Sequence, residues 1–121
     1  MRQLKYGVEG KAENLHAFAV DEPGHGGACH EYLITDPSDK IELGHIKFQN
    51  GPINADGNGI NGLQIEDLLA ICIDRLDAFE SGDYSCFENG AALNHCQSAL
   101  RMLQQRTLDR IRRKVEGTHT V

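Results

Sequence analysis

The chain has 121 residues and a mass of 13.4 kDa, the usual size of a single domain. Its 40% hydrophobic and 25% charged residues are typical of a protein that folds, and no apolar stretch approaches the ~18 residues that a membrane span needs. The net charge of −6 argues against a protein that binds long nucleic acid or anionic membranes. The N-terminal residues are too polar for a secretory signal, so we expect the four cysteines to be reduced thiols in a cytosol.

Two short runs of β-branched and aromatic residues, at 30–34 and 41–49, predict neighbouring strands in the first half of the chain. The polar sequence TDPSDK between them carries turn signals, so we expect an antiparallel hairpin. A two-stranded hairpin is marginal in water, and residues 4–8 or 15–20 are candidates for one more strand. Residues 1–62 are therefore expected to form a β-rich segment.

A helix is predicted from residue 64 onward, where the apolar residues change to helical spacing. Glu66 and Asp67 lie in its first turn, where negative charge is favourable, and Gly82 follows as a stop signal. The expected apolar face consists of Ile65, Leu68, Leu69, Cys72, Ile73, Leu76 and Phe79.

A second, longer helix is expected from about Ser85 to about Val115, a length of roughly 45 Å, and Cys96 falls on its apolar face. Neither the shorter helix nor a small sheet can cover such a helix along its whole length, so we expect a second subunit to pack against it. The fold class that follows is α+β: a small antiparallel sheet, then a two-helix hairpin over residues 63–121, in an oligomer.

The C-terminal part of the chain is basic, whereas the rest is acidic. Residues 98–121 carry six basic groups against two acidic ones, a net charge of +4, and residues 1–97 carry six against sixteen, a net charge of −10. Arg106, Arg110 and Arg113 recur at i, i+4 and i+7, which places them on one helical face. Two interpretations stay open, because cations are favourable at any helix C-terminus and the planar fork of arginine also suits a phosphate group.

Gly57, Gly59 and Gly62 fit the G-x-G-x-x-G pattern of dinucleotide-binding folds. That site needs a strand leading directly into the glycine turn and a second parallel strand after the helix. Here several residues separate the predicted strand from the first glycine, and a second helix follows the first. We therefore interpret the segment as a turn between a strand and a helix.

Catalytic and metal-binding patterns are weak in this sequence. His25, Cys29 and His30 form the one metal-like cluster, but their spacing matches no closed zinc site. Asp74 and Asp77 could pair for acid–base catalysis, although on a surface helix such residues are more often solvated charges. The sequence contains no nucleophile-elbow, metalloprotease or phosphate-binding-loop motif. We expect no catalytic residue, no metal and no cofactor.

The second part of the chain carries short strings in a specific order: FQNGPI (48–53), NG (61–62), LLAICIDRL (68–76), CFEN (86–89), LQQRTLDRI (103–111) and VEGTHTV (115–121). Together they resemble a family of small phage anti-defence proteins with a helical hairpin, some of which counter the Thoeris and others the CBASS immune system of bacteria. The β-rich N-terminal segment makes the chain more similar to the Thoeris type than to the all-helical type. The resemblance covers about residues 45–121 and gives no support for residues 1–29.

The resemblance implies a sponge that binds cyclic nucleotide second messengers without cleaving them. Its ligands would be glycocyclic ADP-ribose isomers and, at a separate site, cyclic di- or trinucleotides. Its assembly would be a dimer that builds a hexamer in the cytoplasm of the infected host. The residues that correspond to the family's ligand site are Phe79 for base stacking, Asn89 as a polar contact, and Arg106 and Arg110 for phosphate. Arg113 and Thr118 correspond to the second site.

Purely structural roles stay open for the same residues. Phe79 by itself would more often be a core residue, and Asn89, near the start of a helix, would more often be a cap. A protein–protein adaptor that uses the basic helix, and a phosphodiesterase that acts on the same ligands, are the alternative functions. The chain also differs from the family at two positions, since members tend to have alanine at Gly90 and an arginine or other polar residue at Leu108.

Overall fold

A computed structural model describes residues 1–53, 59–114, 116–119 and 121 of the chain. Four strands, β1 (Arg2–Gln3), β2 (His16–Ala19), β3 (Glu31–Thr35) and β4 (Glu42–Lys47), precede two helices, α1 (Ile65–Glu80) and α2 (Phe87–Arg112). The chain divides into two compact units, residues 1–63 and residues 64–121. The predicted α+β class and the order of sheet before helical hairpin are confirmed.

The four strands form one antiparallel sheet in the order β1-β2-β3-β4. The register places Ala17 opposite Ile34 and Ala19 opposite Tyr32, so these side chains share one face of the sheet. Ala17 and Ala19 are buried, and the ring of Tyr32 meets the ring of Phe48 edge-on at 5.7 Å between centroids. This face therefore carries the core of the N-terminal unit.

The turn between β3 and β4 lies where TDPSDK predicts it and is held by two carboxylates. Asp36 accepts a hydrogen bond from the Ser38 hydroxyl at 2.8 Å. Asp39, whose φ of 63° is left-handed, accepts one from the His16 ring at 2.7 Å and one from the Thr35 hydroxyl at 2.9 Å. Because His16 belongs to β2, this second carboxylate ties the turn to the neighbouring strand.

The strand predicted within residues 4–8 or 15–20 is present as β2, and the two-residue strand β1 was not predicted. Residues 4–8 do not form a strand, although the Leu4 N–H still donates to the Ala17 carbonyl at 2.8 Å. Beyond that point the Asn14 side chain exchanges two hydrogen bonds with the Val8 backbone and directs the chain into a turn. Local side-chain bonds of this kind compete with strand pairing.

An amide network closes the segment that follows β4. The Asn50 N–H donates to Asn61 Oδ1 and Asn61 Nδ2 donates to the Asn50 carbonyl, both at 2.8 Å. Gln49 Oε1 accepts from the Asn61 N–H at 2.9 Å. Gly57 of the glycine pattern lies outside the described residues. The four described strands pair only antiparallel, so they contain no dinucleotide-binding strand–helix–strand unit.

Helix α1 starts where the sequence predicts it. Its N-cap is Gln64, whose backbone N–H donates to the Asp67 carboxylate at 2.8 Å in a reciprocal capping box. The helix ends at Glu80, and Gly82 follows two residues later as the predicted stop. Ile65 and Cys72, which were predicted on the apolar face, are exposed, so that part of the prediction is wrong.

Helix α2 is shorter than predicted. It begins at Phe87 rather than near Ser85 and ends at Arg112, so its 26 residues span about 39 Å. Cys86 is the N-cap, and its Sγ accepts the Asn89 N–H. Val115, the predicted end, lies outside the described residues.

The two helices pack against each other through half-buried side chains. No residue of α1 or α2 is fully buried, although both helices carry stripes of apolar residues. The half-buried apolar residues include Leu68, Leu69, Ile73, Leu76 and Phe79 of α1, and Leu93, Cys96, Leu100 and Leu103 of α2. Among the described residues, neither helix combines the length and apolarity that crossing a bilayer requires.

Candidate functional site

Phe79 lies on the last turn of α1 and is half-buried. The Arg75 guanidinium carbon lies over its ring, 5.0 Å from the centroid. The Tyr84 ring stands nearly perpendicular to the Phe79 ring, at an interplanar angle of 82° and 5.9 Å between centroids. The ring is therefore held from two sides, by a residue one helical turn earlier and by a residue of the connecting turn.

Asn89 lies on the first turn of α2 and bonds back to the connecting turn. Its side-chain Nδ2 donates to the Tyr84 carbonyl at 3.1 Å, and its backbone N–H donates to the Cys86 Sγ at 3.4 Å. Asn89 is thus the third residue of the helix rather than its cap. Phe79 and Asn89 both contact Tyr84, so the hairpin tip brings these two predicted site residues together.

Glu80 crosses the hairpin tip from α1 to the start of α2. One carboxylate oxygen accepts the Cys86 N–H at 3.0 Å, and the other lies 3.4 Å from the Ser85 hydroxyl. A Cβ at Gly90 would lie only 3.0 Å from that second oxygen. The glycine at this position therefore leaves room for the Glu80 carboxylate.

An open groove of about 520 Å³ lies beside this carboxylate. Phe87 at its rim is 84% exposed, which is a large apolar surface to leave in water. The groove is lined by Glu80, Ser85, Cys86, Phe87, Gly90, Ala91 and Asn94.

The two predicted phosphate-binding arginines lie near the other end of α2 and differ in their surroundings. Arg106 is exposed, and its guanidinium makes no ion pair within the described residues. Arg110 is only 17% exposed, and its guanidinium bonds to the Glu116 carboxylate at 3.3 Å and to the Thr118 carbonyl at 3.2 Å. Arg110 therefore holds the segment after α2 against the helix, whereas Arg106 presents its charge to solvent.

Arg113 and Thr118, the residues of the predicted second site, bond to different partners at the C-terminal end of α2. The Arg113 guanidinium donates to the Val121 carbonyl, and the Thr118 carbonyl accepts from Arg110. Asp109, further back on the helix, pairs with Arg112 at 3.4 Å. Glu116, Thr118 and Val121 thus bond to arginines at the C-terminal end of α2, where Glu116 places a negative charge against Arg110.

A single chain does not unite the two groups of predicted site residues. Asn89 and Arg106 are both part of the continuous helix α2, and their separation of 17 positions corresponds to about 26 Å of helix. The aromatic and amide groups lie at the hairpin tip, and the arginines lie at the opposite end. One small nucleotide can contact both groups only if they come from different chains.

The sequence analysis missed Arg75, Tyr84 and Glu80 at the hairpin tip. Arg75 precedes Phe79 by four residues, and this i, i+4 spacing on one helix was the signal that could have found it. Tyr84 and Glu80 gave no such signal, because their contacts depend on the path of the connecting turn.

The metal-like cluster of the N-terminal unit, His25, Cys29 and His30, makes hydrogen bonds within the chain. The Cys29 thiol donates to the Asp21 carbonyl at 3.3 Å, and a His30 ring nitrogen lies 3.1 Å from the His25 carbonyl. The Asp21 carboxylate accepts the backbone N–H groups of His30 and Glu31, and these bonds lower the pKa of Asp21. Within the described residues no three His, Cys, Asp or Glu side chains could hold a metal ion.

Comparison with known proteins finds a curated relative of this chain. No family model matches it. A curated protein named Thoeris anti-defense 1, from Bacillus phage SBSphiJ7, is 38% identical to it over 96 residues. The match covers 79% of this chain and 65% of that relative, so the chain spans slightly less than two thirds of the relative's length. This level of identity over most of the chain supports a Thoeris anti-defence 1 type of phage anti-defence family.

Proposed function

We propose that this protein binds a cyclic nucleotide immune messenger of the glycocyclic ADP-ribose type and sequesters it without cleavage. By doing so it counters Thoeris defence in the cytoplasm of the infected host cell. The observation that carries the proposal is the hairpin tip, where an aromatic ring, Phe79, and a side-chain amide, Asn89, both contact Tyr84. The name of the relative supports the anti-defence role.

The chemistry of such a ligand matches the predicted residues. A purine base offers a flat apolar face, and stacking on an aromatic side chain contributes about 1–3 kcal/mol per base. The side-chain amide of Asn89 can donate to or accept from a base or ribose edge. The pyrophosphate carries compact negative charge, which suits the guanidinium of Arg106 because arginine binds phosphate oxygens bidentately.

We further propose that two chains complete each site, one supplying Phe79 and Asn89 and the other supplying Arg106 and Arg110. The separation of the two pairs along α2 supports this arrangement. The helices also leave large apolar side chains exposed, as expected for surfaces that a second copy covers. These side chains include Ile65, Ile71, Phe87, Met102, Leu108 and Ile111. A dimer, built further into a hexamer, is the assembly that we propose.

The groups around Phe79 favour binding over catalysis. The Glu80 carboxylate accepts a backbone hydrogen bond and approaches the Ser85 hydroxyl, and the Cys86 thiol accepts the Asn89 N–H. This carboxylate and this thiol are therefore used to build the turn.

We also propose a second site, for cyclic di- or trinucleotides, at Arg113 and Thr118 near the C-terminal end of α2.

Calorimetric titration with glycocyclic ADP-ribose tests the main site. Phe79→Ala removes the stacking surface and is expected to weaken binding by about 1–3 kcal/mol. Arg106→Ala is expected to cost more, because it leaves the pyrophosphate unpaired in a partly desolvated site. Arg106→Lys is expected to restore only part of the loss, since an ammonium group lacks the bidentate fork.

Arg2→Ala is the control, because it removes one exposed positive charge from β1 and is expected to leave the affinity unchanged. Heating the complex and recovering the small molecule separates a sponge from an enzyme, since a sponge releases intact messenger. Wild-type protein that takes up no messenger would refute the proposal and favour the adaptor alternative. A recovered cleavage product would favour the phosphodiesterase.

A further inference from the structure

The Phe79 ring has one face covered within its own chain. The Arg75 guanidinium carbon lies over the ring, 5.0 Å from the centroid. Arg75 is exposed and makes no ion pair within the described residues, although Asp74 and Asp77 are close to it in sequence. In the described part of the chain, the Arg75 guanidinium therefore interacts with the Phe79 ring. A guanidinium over an aromatic face is attracted to it by a cation–π interaction.

Tyr84 packs against the Phe79 ring from a second direction. Its ring stands at 82° to the Phe79 ring, 5.9 Å away, and is itself 74% exposed. The Tyr84 backbone carbonyl accepts the Asn89 amide at 3.1 Å. Contacts thus run without a break from Arg75 through Phe79 and Tyr84 to Asn89.

From this geometry we infer that Arg75 is a positioning residue of the ligand site and makes Phe79 a one-sided stacking platform. The guanidinium occupies one ring face, so a planar base can stack only on the other. Each platform accordingly takes one base, which fits a messenger with a single purine. The inference rests on the proposed function, because it concerns the same ligand.

Arg75→Met tests the inference, because methionine keeps the length and apolar contact of the side chain and removes the charge. We expect the affinity for glycocyclic ADP-ribose to fall by up to about six-fold, because positioning the ring can contribute no more to binding than the cation–π contact itself contributes. Arg75→Lys is expected to bind more tightly than Arg75→Met, since it keeps a cation over the ring. Arg2→Met is the matched control for the loss of one charge.

The decisive measurement combines Arg75→Met with Phe79→Leu. If Arg75 acts through the ring, it has no further effect once the ring is gone, so the double variant binds as Phe79→Leu does. A loss of the same size in both backgrounds would mean that Arg75 contacts the ligand directly, and would overturn the inference.

The outcomes separate the inference from the proposed function. Wild-type binding together with an Arg75→Met affinity equal to that of Arg2→Met overturns the inference and leaves the sponge intact. Wild-type protein that binds no glycocyclic ADP-ribose overturns the proposed function and the inference with it. Equal affinity of the Lys and Met variants would show that the cation has no role, which also counts against the inference.

Discussion

Gly62 lets the chain return against its own backbone just after β4. The residues on either side of this contact, Phe48 and Leu63, form a parallel β-bridge. A Cβ at position 62 would overlap the Phe48 carbonyl carbon and lie 2.5 Å from the carbonyl oxygen. Backbone atoms cannot turn aside as a flexible side chain can, so the close approach requires glycine.

We therefore predict that Gly62→Ala destabilises the N-terminal unit by about 1–3 kcal/mol, the usual cost of an overpacked contact. Urea unfolding followed by circular dichroism measures the change. Gly44→Ala in β4 is the control, because its Cβ would lie an ordinary 3.7 Å from the Ile34 side chain. That substitution is expected to be neutral or slightly stabilising. Equal stability of the two variants would contradict the role assigned to Gly62.

The β3–β4 turn makes the stability of the sheet depend on acid. Hydrogen bonding from the Ser38 hydroxyl lowers the pKa of Asp36 below its ordinary value of 3.8. Bonds from His16 and then Thr35 lower the pKa of Asp39 in the same direction. A carboxyl group with a lowered pKa in the folded state stabilises the fold above its ordinary value, and this contribution is lost as the pH falls through the folded-state pKa.

We predict that the urea midpoint of the sheet falls as the pH decreases below about 3.8, and that Asp39→Asn reduces this slope. The variant is also expected to be less stable than wild type at neutral pH, because the His16 ring loses a charged partner. Asp74→Asn removes an exposed carboxylate from α1 and serves as the control. The expectation fails if Asp39→Asn and Asp74→Asn respond alike to acid.

Periodicity was sufficient to predict the helices and the main strands. Sixteen residues of α1 and 26 of α2 carry enough repeats to define a period, and TDPSDK marks the turn between β3 and β4. β1 has two residues and is set by pairing with β2, so no local pattern could reveal it. Cys72 fits the helical spacing of the apolar residues and is nevertheless exposed, because spacing alone does not reveal how much of that stripe α2 covers.

The start of α2 shows why helix ends and site details were harder to predict. Ser85 is the better cap by residue type, yet its hydroxyl lies near Glu80 and Cys86 takes the N-cap position. The choice depends on the Glu80 carboxylate, which reaches the turn from α1. In the same way, Phe79 and Asn89 could be named from the sequence, whereas the residue that joins them, Tyr84, required the path of the turn.

At the scale of the whole molecule, the exposed apolar side chains of the helices predict association. Ile71 is 64% exposed and Met102 is 69% exposed, and no residue of either helix is buried within the chain. We expect light scattering at micromolar concentration to give at least twice the chain mass of 13.4 kDa. A mass equal to that of one chain would contradict the proposed assembly.

A mixing experiment tests whether two chains share each ligand site. Phe79→Ala and Arg106→Ala chains are each expected to bind weakly as pure assemblies. Co-expressed, they form mixed dimers in which one of two symmetric sites keeps both wild-type residues, so about a quarter of all sites recover. If each chain held a complete site, mixing would restore nothing. Arg2→Ala co-expressed with Phe79→Ala is the control. In that mixture every site with an intact Phe79 is expected to bind, whichever chain supplies the arginines.

The position of Tyr84 gives the protein an optical property. The chain has no tryptophan and three tyrosines, so tyrosine is its principal fluorophore. Tyr6 and Tyr32 belong to the N-terminal unit, and Tyr84 stands beside the Phe79 ring. A change at the hairpin tip therefore alters the emission of Tyr84, and the emission of Tyr6 and Tyr32 serves as an internal reference. Subtracting the spectrum of Tyr84→Phe would isolate that signal without any attached dye.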